Sequence, residues 1–503
     1  VNVFTVALQI FGPEVAHHAS VVFAWASVTG VVLDALTRIV LIVRVILRRT
    51  PVPDTLSWII VLGLVPLLST ALYLLIGENR LGSRRVAKYE SLTKLIDEPA
   101  AAHWYEEKAS IDESNVQFKH LTVLASNVTG LPPLKGNALE LLGDAEQFIS
   151  RLCDDIARSH RHCHLEFYIW EPDRQGKRVA KALCTAAQRG VACRVLVDSV
   201  GSADLLASEL VAEMRSAGVR VVEALPAGVL RTIFARVDLR NHRKIAVIDS
   251  HIAYCGSQNI TNDNFVKRKV MRAGPYVDAT VRVRGPAVQA LQTTFLHDWA
   301  LDTDEAVPNI RDFLPRPSLE GDAVVHLVPS GPGPRPDAIH HSILAMLFVA
   351  REEIILTTPY FVPDEATKAG LINAALRGVS VSLIVPAVSD SLLVAAAARS
   401  HFPDLLEAGV KIHQHQQGLL HTKVMIVDKQ FSVIGSANFD MRSFWLNFEA
   451  TLIVHDLPFA AELRALQQTY ISQSKQVDLL QWRKRSILKR FAENSAQLLG
   501  PLL

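Results

Sequence analysis

The chain has 503 residues, a net charge of +2, 49% hydrophobic residues and a mean hydropathy of +0.21. That length supplies more than one domain and a large core, and the near-neutral balance excludes binding to nucleic acid through bulk charge. The five cysteines, Cys153, Cys163, Cys184, Cys193 and Cys255, are odd in number and scattered, which excludes a disulfide framework and fits a catalytic region facing the cytosol.

The apolar excess lies at the N-terminus. Val21 to Val43 is long enough to span a bilayer but carries Asp34 and Arg38, which share a helix face and can pair. An interfacial helix is the alternative. Thr55 to Ile76 is a 22-residue run without charge and reads as a transmembrane helix, with Pro66 tolerated inside it. No basic region precedes the first run, which argues against a cleaved leader. Arg44, Arg48 and Arg49 follow the first run; Arg80, Arg84, Arg85 and Lys88 follow the second. A simple hairpin puts these clusters on opposite faces, so the positive-inside rule pulls both ways. The second cluster is larger, and with the cysteines it places the large domain in the cytoplasm. Residues 1–80 therefore read as a membrane anchor, and 81–135, with Leu131-Pro132-Pro133, as a linker and lead-in.

From residue 136 helical patterns alternate with short apolar runs, as in an α/β protein. One pattern is written twice. His242-x-Lys244, Asp249 and Gly256-Ser257-x-Asn259 recur 179 positions later as His421-x-Lys423, Asp428 and Gly435-Ser436-x-Asn438. Two copies in register make accident a poor explanation. The similarity extends outward: Arg189-Gly190-Val191 matches Arg377-Gly378-Val379, and Ala217-Gly218-Val219 matches Ala408-Gly409-Val410. The last pair is offset by 191, so the first half holds 12 extra residues within Leu225 to Arg240. That apolar, arginine-bearing insertion suits either lipid head groups or a loop packed on its own domain. The halves are placed at 136–315 and 316–503.

In a strand, residues two apart share a face, so His and Lys of each copy project together. Two imidazoles and two ammonium groups converge if the halves face each other across a pseudo-twofold axis. The set suits a phosphodiester. Lys244, Lys423, Asn259 and Asn438 can hold the charge that grows on its oxygens. One imidazole can attack phosphorus while the other donates a proton to the leaving alcohol. Asp249 and Asp428 belong to the repeated pattern, but strand geometry puts them at the far end, ordering the fold. The histidines need acidic partners to set their tautomers. Asp278, following His242 in VDATVRV, and Glu449, following His421 in NFEATLIV, are the candidates.

The duplicated His-x-Lys-x4-Asp and the stretch GSANFDMRSFWLNFEA resemble the phospholipase D superfamily. With two N-terminal apolar segments and the LEFYIW strand, they resemble its bacterial cardiolipin synthases over nearly the whole chain. The resemblance implies two pseudo-symmetric α/β/α sandwich halves sharing one active site behind a transmembrane helical segment, in a bacterial inner membrane. It implies catalysis by His242, Lys244, Asp249, His421, Lys423 and Asp428, with His242 as nucleophile and His421 as acid/base by analogy, or the two exchanged, since the symmetry allows either. The implied reaction moves a phosphatidyl group between two phosphatidylglycerol molecules, with no metal or cofactor. Phosphatidylglycerol, other anionic phospholipids and the membrane are the expected partners, and nucleic acid is not. A hydrolase of the same superfamily, acting on lipid or nucleic acid, is the alternative; a scaffold with a decayed site fits poorly with two intact His-Lys sets. After the shared asparagine the second copy carries Asp440, Arg442, Ser443 and Asn447, whereas the first reads Asn259-Ile-Thr-Asn-Asp, so the half-sites are not equivalent.

His160, His162, Cys163 and His164 have the composition of metal ligands but lack a second pair at finger-like spacing, and read as a polar strand entrance. Glu166 reads as a satisfied buried carboxylate. The stretch from Leu479, with Arg483, Lys484, Arg485, Lys489 and Arg490 among apolar residues, reads as an amphipathic helix on anionic lipid, or as one packed on its own domain.

Overall fold

The computed structural model describes residues 13–48, 52–78, 85–92, 116–226, 236, 238–262, 275–303, 310–333 and 336–500. The chain divides into two compact units, Val1–Leu81 with Gly228–Asp238, and Gly82–Ala227 with Leu239–Leu503.

The first unit is built from α1 (Pro13–Leu47), α2 (Val52–Leu64) and α3 (Leu68–Ile76). Asp34 and Arg38 pair at 2.8 Å, as their spacing predicts. The run Thr55–Ile76, expected as one transmembrane helix, is instead broken between α2 and α3. Pro66 supplies no N–H and crowds the preceding turn, and Leu67 takes a φ of 59°. Among the described residues no helix is long and apolar enough to cross a membrane. Of the insertion at Leu225–Arg240, residues 227–235 and 237 lie outside the described residues; Arg236 pairs with Asp238 at 2.5 Å.

The second unit carries one 15-stranded mixed sheet that is written twice from its middle outward. At the centre Leu134–Leu142 runs antiparallel to Ala323–Ser330. From the first of these the order continues through Thr280–Arg284, Ile252–Gly256, Lys244–Ile248, His162–Phe167, Ala192–Asp198 and Arg220–Ala224. From the second it continues through Glu449–His455, Phe431–Gly435, Val424–Val427, Glu353–Thr357, Ser380–Pro386 and Lys411–His415, with Ser474–Gln476 added at the edge. The central pair thus lies on the pseudo-twofold axis, and the repeat seen in the sequence is a repeat of strand order.

Local chemistry repeats with it. Gly190 and Gly378 end matching helices with φ of 93° and 91°. Val191 and Val379, the next residues, donate back to Ala186 and Ala374 at 3.1 Å in each case. A left-handed residue after the last helical turn costs glycine least, which is why Arg-Gly-Val survives in both halves. The core follows. Helix Ala287–Asp302 is buried nearly all round and packs Leu291, Phe295 and Leu296 in one cluster with Val281, Val325, Leu452 and Leu463 from both halves. A helix apolar on every side has to be enclosed in this way. The C-terminal stretch is broken too, into Leu479–Arg483 and Ile487–Gln497, because Ser486 caps the second helix through Lys489 N–H.

Candidate active site

Each histidine of the repeat sits where a short segment of one half pairs with the other. Leu419–Leu420 runs parallel to Tyr276–Val277, and Asn241 bridges to Phe448. His421 N–H therefore donates to Val277 O at 2.8 Å, and His242 N–H to Phe448 O at 2.9 Å. Both acceptors immediately precede the candidate acids. The side chains follow the backbone. His242 Nδ1 lies 2.9 Å from Glu449, and His421 Nδ1 lies 2.7 Å from Asp278. Each histidine is thus held by a carboxylate from the opposite half, not by the acid that follows it in its own.

The Gly-Ser of each copy explains how the acids are aimed. A Cβ on Gly256 would stand 2.6 Å from Thr280 Cα, and one on Gly435 would stand 2.6 Å from Thr451 Cα. Only glycine lets these strands approach so closely. The next residue exploits the approach: Ser257 hydroxyl donates to Asp278, and Ser436 hydroxyl to Glu449. Two Ser–carboxylate–His chains result, and each crosses the axis.

The lysines complete the site. Lys244 Nζ donates to His242 O at 2.6 Å, and Lys423 Nζ to His421 O at 2.7 Å while standing 3.0 Å from His421 Nε2. Both are buried, as are both histidines. Because each Nδ1 faces a carboxylate it carries the proton, which leaves Nε2 as the basic nitrogen.

The family described as "Cardiolipin synthase, PLD-like domain" matches residues 152–299 and 343–470, and "Phospholipase_D-nuclease N-terminal" matches residues 38–78. Cardiolipin synthase A of Salmonella paratyphi B is 37% identical over 487 residues, covering 95% of this chain and 97% of that protein. Cardiolipin synthase A of Salmonella typhimurium matches to the same extent. The chain belongs to the cardiolipin synthase family. Among solved structures, phosphatidylserine synthase of Haemophilus influenzae Rd KW20 covers 76% of this chain and 100% of its own, with a TM-score of 0.57 and 16% identity. That likeness shows the two-halved fold alone.

Within this cardiolipin synthase fold the half-sites differ electrically. Burial, then Lys244 and Lys423, push His242 well below its ordinary pKa. Burial also raises its partner Glu449 to about 7, against the pull of Lys244 and Ser436. His421 is lowered by burial and Lys423 but supported by Asp278. Burial works to raise Asp278 as well, yet His421 and Lys423 outweigh it and keep that carboxyl below the ordinary range. Burial brings Lys244 down to about 7 and Lys423 to about 8. Both imidazoles are thus pushed toward the neutral form, His242 the further of the two, and only His421 faces a carboxyl that stays below its ordinary range.

Asp249 and Asp428 stand elsewhere. Each follows the strand that starts beside its lysine, about 16 Å along at the usual strand rise. Asp249 accepts from the backbone of His160, Arg161 and His162, each at 2.8 Å. Asp428 accepts from Arg351, Glu352 and Glu353 at 2.9, 2.7 and 3.0 Å. Both take positive φ in the hairpin turn, 52° and 50°. Their place in the repeat is that of clamps on the chain, each carboxylate taken up by three backbone amides.

Asn259 and Asn438 are both buried at the site. The carbonyl of Asn259 accepts from Ile169 N–H at 3.1 Å, whereas the side-chain oxygen of Asn438 has no hydrogen-bond partner. In the second half, Asp440 caps a short helix through Ser443 N–H at 2.7 Å, and Asn447 donates to Glu449 at 3.3 Å. Those unmatched residues thus build the surroundings of one carboxylate. Sequence reasoning missed Tyr168 and Tyr276, whose rings stand edge-on to His242 and His421 at 4.9 and 5.4 Å. Tyr168 lay within the LEFYIW strand already singled out. His162 and His164 stack at 4.5 Å and are spent on Ser250 and Gln292. Glu166 accepts from Asn241, and its carboxyl is pushed well above the ordinary range, first by burial and then by Asp298.

Proposed function

We propose that this protein makes cardiolipin from two molecules of phosphatidylglycerol at the inner membrane of a bacterium. His242 Nε2 attacks the phosphorus of the first lipid, and the bond to the glycerol head group breaks. The proton of His421 goes to the departing glycerol oxygen. The terminal hydroxyl of the second phosphatidylglycerol then gives its proton to His421, its oxygen bonds to phosphorus, and the His242–phosphorus bond breaks. Lys244 and Lys423 bear the charge on the non-bridging oxygens; Asn259 and Asn438 are assigned to the same phosphate.

The observation that carries this reading is the crossed pairing of His242 with Glu449 and His421 with Asp278, which supports two imidazoles serving one phosphorus. Lipid as substrate is supported by the exposed Ile487, Leu488 and Phe491 beside Lys489 and Arg490 on the C-terminal helix, a composition suited to an anionic bilayer surface. The test is purified enzyme in detergent–lipid micelles with labelled phosphatidylglycerol. Cardiolipin and glycerol are the expected products. Phosphatidic acid as the sole product would assign the protein to hydrolysis.

A further inference from the structure

The N-terminal unit does not run as a hairpin of two full spans. In such a hairpin, Glu78 would end up a membrane thickness away from the C-terminal end of α1. Instead Glu78 receives Arg44 through hydrogen bonds of 2.6 and 3.0 Å and Arg48 at 2.9 Å. Tyr73 hydroxyl donates to the same carboxylate at 2.7 Å. The ends of α1 and α3 are therefore tied together.

The break between α2 and α3 is tied at a different level. Leu67 N–H and Thr70 hydroxyl donate to Asp34 at 3.2 and 3.1 Å. Arg38 donates to Asp34 at 2.8 Å and to the carbonyls of Leu62 and Gly63 at 3.2 and 3.4 Å. Asp34 and Arg38 each precede Arg44 and Arg48 by ten residues, about 15 Å of helix. So α2 descends along α1 by that distance, turns at Pro66, and α3 climbs back. The lengths agree: 13 and 9 residues give about 20 and 14 Å, short of the roughly 30 Å hydrocarbon core.

Irregular backbone survives at membrane depth only where protein satisfies it, and Asp34 with Arg38 supplies those partners. The flanks are oily: Leu36, Ile39, Val40, Leu56, Ile60 and Leu64 are each more than half exposed. We infer that residues 52–76 form a re-entrant hairpin, entering and leaving the membrane on the same side and contacting the acyl chains of a single leaflet. This rests on the lipid-enzyme reading above. It also removes the conflict between the two basic clusters. Glu78, which the second cluster follows in the chain, is held against Arg44 and Arg48, so the hairpin no longer sends the two clusters to opposite faces.

The test uses the full-length protein in bacterial membranes, with Val52→Cys and Asn79→Cys made singly. A membrane-impermeant maleimide is applied to right-side-out and inverted vesicles, with the wild-type protein as background. Both positions are expected to label from the same side. Labelling from opposite sides would overturn the hairpin, as would release of the protein by alkaline carbonate. Cardiolipin formation measured on the same vesicles reports separately on the enzymatic reading.

Discussion

The two half-sites share strand order and a Ser–carboxylate–His chain, yet their carboxyls are pushed in opposite directions. Asp278 is short and kept ionised by His421 and Lys423, whereas Glu449 is longer, enclosed by Ser436 and Asn447, and raised by burial to about 7. A fold with perfect twofold symmetry would give two identical imidazoles. Catalysis by nucleophile and acid needs two different ones. The comparison teaches that one carboxylate and its few neighbours suffice to give the two imidazoles different electrostatic surroundings while the scaffold stays symmetric.

Removing the histidines should give the largest effect and the sharpest contrast. His242→Ala and His421→Ala are each expected to lower kcat by about 10³-fold or more, on the scale of a lost nucleophile or acid. They should differ in what accumulates. His421→Ala retains the nucleophile and should yield a trapped phosphohistidine by mass spectrometry when the lipid carries an activated leaving group. His242→Ala should yield none. An adduct on His421 in the wild-type protein would reverse the assignment.

Next come the lysines. Lys244→Ala and Lys423→Ala should each cost about 3–4 kcal/mol of transition-state stabilisation, or about 10²–10³ in kcat. Burial lowers their folded pKa values to about 7 and about 8 from an unfolded value near 10.4. Between those limits the unfolded chain binds more protons, so these two groups make the fold more stable as pH rises through that window. Activity moves the other way. Loss of the ammonium charge should drop kcat/KM between about pH 7 and 8. A profile flat to pH 9.5 would remove charged lysines from the rate-limiting step.

The acids test the asymmetry itself. Asp278→Asn removes the charge that supports a protonated His421 and should cost about 10² in kcat, the lower end for general acid catalysis. Glu449→Gln replaces a carboxyl already raised to about 7 and should cost about tenfold, one pKa unit's worth of interaction. Equal losses would mean the half-sites are equivalent in action, and the reverse order would exchange their assignments.

Much of this was legible in the sequence and some was not, for identifiable reasons. The repeat exposed His242, Lys244, His421 and Lys423 because chemistry and strand period both fix their spacing; Asp278 and Glu449 stood out instead as acids inside apolar strands. The crossing of the acids was hidden, since Asp278 follows His242 in the chain and only the pairing of Leu419–Leu420 with Tyr276–Val277 carries it to His421. Thr55–Ile76 passed for a single helix because hydropathy registers length but not where the backbone N–H of Leu67, after Pro66, finds a partner. The partner is Asp34, 33 residues before Leu67. Ser257 and Ser436 were visible as motif letters, but their contact with a carboxylate depends on strands that only glycine allows to close.

The smallest catalytic effect is expected at the most regular letter of the repeat. Asp249→Asn removes one of two carboxylate oxygens that together accept three backbone N–H groups at the start of strand His162–Phe167. Burial would raise this carboxyl, but those three amides outweigh it and hold it below its ordinary pKa. Its contribution to stability is therefore present above the unfolded value near 4 and is lost as pH falls through the folded one. The variant should lose about 1–3 kcal/mol of stability, the scale of a hydrogen bond to a charged group, read as a lower Tm. Its kcat per folded molecule should stay within about twofold, the scatter expected of surface-like changes of ±0.5 kcal/mol. A hundredfold loss of kcat with Tm unchanged would return Asp249 to the reacting site, and with it Asp428, which makes the same three contacts in the other half.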